Sequence, residues 1–131
     1  MTRKDTNELE TMIRRWEQAI CDGELSAVIA DHADDLRIFD VPEPLQMTGL
    51  DAYRESWRLF FDHNPAGPNR FRITDLRVVA GATVAFAHGL LVIGRGPDAH
   101  CRLTLCFEKR QDGWQFVHEH HSMPIRLGAD A

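Results

Sequence analysis

The chain reads as an α+β domain, with helices packed on one face of a curved antiparallel sheet. Three observations support this. Apolar residues recur at three- and four-residue spacing near the start and again around residues 50–63. From residue 71 onward apolar and polar residues alternate instead, in stretches separated by Gly, Pro and Asp. No helical stretch interrupts these later strands, so they read as a meander of neighbours.

The totals agree with one soluble domain. A chain of 131 residues is long enough to bury a core. Its net charge of −5, with no basic cluster, argues against nucleic acid or an anionic membrane as partner. No apolar run reaches membrane-spanning length, and Met-Thr-Arg-Lys-Asp at the N-terminus lacks a signal-peptide core. Cys21, Cys101 and Cys106 make an odd count without CxxC spacing, which suits reduced thiols and a cytoplasmic location.

Taken in order, residues 6–22 form an amphipathic helix with Leu9, Met12, Ile13, Trp16 and Ile20 on its stripe. Asp5 and Glu8 suggest a capping box, and Gly23 a stop. A shorter helix follows over 24–32, with Leu25, Val28 and Ile29 inward. Residues 36–41 read as a strand with Leu36, Ile38 and Asp40 on one face; Pro42 and Pro44 end it. Gly49 precedes a third helix over 50–63, carrying Tyr53, Trp57, Phe60 and Phe61. Asn64-Pro-Ala-Gly-Pro-Asn69 is a turn-rich connector. Strands are then expected over 71–79, 83–93 and 100–109, and a last one after the Asp112-Gly113 turn. The ordered core should span about 5–124, with 125–131 a loose tail.

The last strand carries the most chemistry. In Asp112-Gly-Trp-Gln-Phe-Val-His-Glu-His-His-Ser-Met-Pro124, strict alternation places Trp114, Phe116, His118, His120 and Ser122 on one face. That face begins as core and ends as imidazole and hydroxyl, as the inner strand of a half-open pocket would. His118 and His120 could then donate to a developing oxyanion or take up a proton near neutral pH. Asp40, sharing a face with Leu36 and Ile38, would be partly desolvated and suited to act as a general base. Tyr53, Trp57, His88, Arg102, Trp16 and Met47 are candidate substrate contacts, with Met47 as a lid. The histidine run also admits a metal site, with Asp40 or His88 as third ligand, but its spacing matches no zinc signature. No metal or cofactor is expected. No nucleophile triad, GxGxxG or Walker loop is present.

The order helix–helix–strand–helix–meander covers essentially the whole chain and resembles the nuclear transport factor 2-like superfamily. That is the cone-shaped fold of SnoaL-like domains and ketosteroid isomerases, with a curved sheet packed on three N-terminal helices. Residues Ala33-Asp-Asp-Leu-Arg-Ile-Phe-Asp40, the Pro-rich loop and 53–57 resemble the ketosteroid isomerase segment whose Asp is the general base, which implies that role for Asp40. The final strand is similar to that of SnoaL-like domains. It also resembles the association domain of calcium/calmodulin-dependent protein kinase II, a ring-forming hub. Trp16 stands where a ketosteroid isomerase has its oxyanion-hole Tyr, and His100-Cys-Arg-Leu-Thr104 offers no carboxylate for the second acid.

The resemblance and the residues together imply a pocket for a small apolar or mixed-polarity organic ligand. The expected chemistry is cofactor-independent isomerisation, cyclisation or hydration, with Asp40 as base and His118 or His120 as oxyanion partner. The alternative is a non-catalytic ligand-binding or oligomerisation domain. A homodimer is expected through the outer sheet face, where Phe39, Val117 or residues such as Leu105 would otherwise meet water.

Overall fold

A computed structural model describes residues 3–128 of the chain. Three helices, α1 (Arg3–Asp22), α2 (Leu25–Val28) and α3 (Leu50–His63), accompany six strands: β1 (His32–Phe39), β2 (Met47–Thr48), β3 (Phe71–Ala80), β4 (Val84–Ile93), β5 (Cys101–Arg110) and β6 (Gly113–Ser122). The strands form a single sheet in the order β2-β1-β6-β5-β4-β3. From β6 to β3 every pairing is antiparallel, as the meander requires. β1 lies parallel to β6, so the sheet is mixed rather than wholly antiparallel. The whole of α3 and the meander separates these two strands in sequence, leaving ample chain for a parallel return.

The core sits between the helices and one sheet face. α1 contributes Leu9, Met12, Ile13, Trp16 and Ile20, and α3 contributes Tyr53 and Trp57. Against them stand Leu103, Leu105 and Phe107 of β5 and Trp114 and Phe116 of β6. Trp16 is the hub, with ring centroids 6.0 Å from Trp57, 5.5 Å from Phe71 and 6.0 Å from Phe116. These rings fill the space over the sheet that the sequence alone suggests is a hollow.

Several local expectations change. Asp5 is not a cap: it lies inside α1, buried, and accepts from the Trp114 indole and Lys109, both at 3.2 Å. α2 is only four residues long, and His32 opens β1 instead of closing a helix. Met47 lies in β2, pairing with Ile38 at the sheet edge, so it is half-buried strand and not loop. On β4 the small residues Ala85, Ala87 and Gly89 face the helices, while Val84, Phe86, His88 and Leu90 face outward. Leu105 is fully buried inside and takes no part in the outer face. Of the expected tail, residues 125–128 are exposed and carry no helix or strand, and 129–131 lie outside the described residues.

Candidate functional site

Buried ionisable side chains meet beneath α1 and α3, and a bulge brings them there. Cys106 pairs with His118, whereas the next residue, Phe107, pairs with Phe116, so Val117 is an extra residue in β6. A slip of one residue exchanges the two faces of everything beyond it. Trp114 and Phe116 therefore point inward as expected, but past the bulge the inward residues are Glu119 and His121. His118 and His120 are turned to the outer face, where their rings lie 4.7 and 5.4 Å from Phe39. His118 Nδ1 donates to the Arg37 carbonyl at 2.8 Å.

Glu119 is the centre of the inner group. Its Oε2 lies 2.9 Å from His32 Nε2 and its Oε1 lies 3.1 Å from His121 Nε2. His32 is held flat on Phe116, with centroids 4.1 Å apart and planes within 6°, and stacks on Tyr53 on its other side. Its Nδ1 donates to the Ala30 carbonyl at 2.9 Å. An unprotonated Nε2 would set a lone pair against the Glu119 carboxylate, so the geometry requires a proton between them. Tyr53 Oη, 2.9 Å from the same Nε2, accepts from the Trp16 indole at 3.0 Å and can turn its own proton to Glu119.

The electrostatics follow from these contacts. Burial by itself would raise the Glu119 pKa, but hydrogen bonds from His121 and His32, and their charge, bring it down to about 2. Burial would lower the His121 pKa, yet the Glu119 carboxylate and the charge of Asp40 raise it above its ordinary value. Burial, reinforced by Glu119, pushes the Tyr53 hydroxyl well above 10. The Glu119 side chain is wholly shielded, whereas that of His121 is 11 % exposed, so His121 is where the network meets the surface. His121 Nδ1 has no hydrogen-bond partner among the described residues.

Asp40, half-buried just past β1, accepts from the Val41 amide at 2.7 Å, and its charge acts on both His121 and Cys101. Ile38 is buried and the Phe39 ring packs on His118 and His120 on the outer face, so alternation puts Asp40 on the inner side with His121. Trp16, Tyr53 and Trp57 are interior. His88 and Arg102 are exposed on the outer face, His88 beside Phe86 with centroids 6.2 Å apart, so neither lines the interior. Sequence reasoning missed His32, Glu119 and His121 as a group. Alternation carried straight through Val117 gives the opposite assignment, and the residue spacing contains nothing that marks the bulge. Among the described residues, no group of three or more His, Cys, Asp or Glu side chains is arranged to hold a metal ion.

Hollows of about 720 and 490 Å³ lie beside the α3–β3 connection, and one of about 520 Å³ lies along the outside of α1. None is lined by His32, Tyr53, Glu119 or His121.

Residues 9–126 match the SnoaL-like domain. The chain belongs to the SnoaL-like domain family. An NTF2-like protein of unknown function from Pseudomonas putida KT2440 is 31% identical, with a TM-score of 0.88 over 98% of this chain and 92% of that one. A cystatin-like-fold protein of unknown function from Nostoc punctiforme is 14% identical, with a TM-score of 0.77 over 98% and 97%. A candidate dehydratase of the NTF2-like family from Streptomyces avermitilis is 14% identical, with a TM-score of 0.75 over 96% and 100%. The last two likenesses show the fold alone. No curated protein matches this SnoaL-like chain in sequence. No helix among the described residues is long and apolar enough to cross a membrane.

Proposed function

We propose that this SnoaL-like domain binds a small, mixed-polarity carbonyl compound at the rim of the buried network and moves a proton on it without a cofactor. The observation that carries this reading is the Glu119–His121 hydrogen bond of 3.1 Å, which ties a rim imidazole to a fully shielded carboxylate. A buried carboxylate behind a histidine fixes its orientation and favours its charged form, as the orienting acid of a catalytic triad steadies the imidazolium. His121 then takes the oxyanion-partner role that the sequence assigns to His118 or His120, with Nδ1 facing the ligand. Asp40 on the same side is the base that withdraws a proton next to the carbonyl. Isomerisation, cyclisation and dehydration share that step.

The test is hydrogen–deuterium exchange next to the carbonyl, followed by NMR across a panel of small ketones and enones in heavy water. The wild type should catalyse exchange on at least one class. Asp40→Asn should slow it by about 10²–10⁴-fold with folding intact. An unchanged rate in that variant removes Asp40 as base.

A second reading is favoured by a different observation. Val84, Phe86 and Leu90 are 59 %, 44 % and 39 % exposed along one strand of the outer face. Such a strip suits self-association, and a domain that only assembles or binds would show no exchange with any member of the panel.

A further inference from the structure

We propose that the hollow between the α3–β3 connection and the β4–β5 loop is an oxyanion site, taking the phosphate or carboxylate group of a small organic molecule. The hollow measures about 720 Å³, and Arg70, Arg72 and Arg95 line it together with uncharged residues of the 65–69 turn. No acidic side chain is among its lining residues, although the chain as a whole carries a net charge of −5. None of the three arginines has a carboxylate within ion-pair distance among the described residues.

The backbone holds the cluster in place. The Gly67 amide donates to the Cys21 carbonyl at 2.8 Å, which fixes the turn to α1. The Gly94 amide donates to the Arg70 carbonyl at 2.8 Å, which fixes the start of the β4–β5 loop to β3. Arg72 Nη2 donates to the Gly96 carbonyl at 2.9 Å, while its Nε is shielded from solvent and has no acceptor. A guanidinium has five N–H donors, and leaving one dry and unpaired costs stability. Three like charges lining one hollow without a counter-charge add repulsion. A bound oxyanion relieves both, once Arg72 swings to present its Nε, and planar guanidinium edges match phosphate and carboxylate oxygens. The volume falls within the range of about 300–1,000 Å³ typical of small-molecule clefts, so the hollow has room for an organic molecule carrying the oxyanion. Glu17 and Asp22 border the adjoining hollow that shares Arg72. Both are engaged, Glu17 by Arg14 and the Ile73 amide and Asp22 by Gln18. The site shares no lining residue with the Glu119 network, so it stands or falls independently of the proposed activity.

The test is an NMR titration of the full chain with inorganic phosphate and with succinate, and with chloride at matched ionic strength. The amides of Gly67, Asn69 and Gly96 should shift saturably with at least one oxyanion. The tighter of the two identifies the group as phosphate or carboxylate. Arg95→Gln, in an exposed loop where folding is not at risk, should weaken binding by about tenfold or more. Arg72→Gln should abolish binding, and Arg77→Gln, outside the hollow, should leave it unchanged. The proposal is overturned if neither oxyanion saturates, if chloride reproduces the shifts, or if Arg95→Gln binds as tightly as the wild type.

Discussion

Glu119 remains ionised out of reach of water because His121 and His32 donate hydrogen bonds to it and lend it their charge. This has a consequence for stability against pH. The Glu119 pKa falls from its ordinary 4.5 to about 2 on folding, so its contribution is complete above 4.5 and is lost as pH falls toward 2. The His121 pKa rises above its ordinary 6.5, so its contribution is complete below 6.5 and is lost as pH rises through the folded value. The two together give a stability maximum between about 4.5 and 6.5, which urea midpoints measured across pH will show. Glu119→Gln should flatten both limbs and cost about 3 kcal/mol or more at the maximum, because it leaves buried imidazoles without their anion. A midpoint in that variant equal to the wild type's would mean that the network is not coupled to folding.

Among the elements, β4 is the least obvious in sequence. Its bulky residues Val84, Phe86 and Leu90 suggest the core face, yet the buried face is Ala85, Ala87, Gly89 and Leu91. Gly89 shows why small residues are needed inside. A Cβ there would sit 3.0 Å from Ile73 Cγ2 and 3.1 Å from the Thr74 carbonyl oxygen, beside the register shift in β3. Gly89→Ala should therefore destabilise the fold by about 1–3 kcal/mol, read as a lower denaturation midpoint. Elements with a clean helical period were legible in the sequence: α3 spans Leu50–His63 in the structure, and its stripe residues Tyr53 and Trp57 are buried. What was not legible were the irregularities. A bulge arises from the pairing of two strands, and Val117 has no property of its own that marks it as the extra residue.

For the molecule as a whole, the exposed apolar strip of the outer sheet face is where assembly is expected. Phe86 pairs with Cys106 and Cys106 with His118, so the apolar strip of β4 lies across β5 from the outward histidines of β6. Burial of this strip in a second copy of the chain is the expected arrangement. Light scattering should then give twice the chain mass for the wild type, and Phe86→Glu should return the monomer with the fold unchanged by circular dichroism. A ring of ten or more subunits would favour a hub instead, and a wild-type monomer would remove the dimer.

The sequence by itself determined the layers: the helical period of α1 and α3, the alternation of the strands after residue 71, and the turns between them are local properties that survive any packing. It also pointed to the His-rich end of β6 as the place where the core turns polar. Only the tertiary structure decided which of those residues face the core. Side-chain direction in a strand has a period of two, so one extra residue at the pairing of β5 and β6 moves Glu119 and His121 inside and His118 and His120 out. The partner that completes the group, His32, is 87 positions away in the chain and meets Glu119 only because β1 lies parallel to β6.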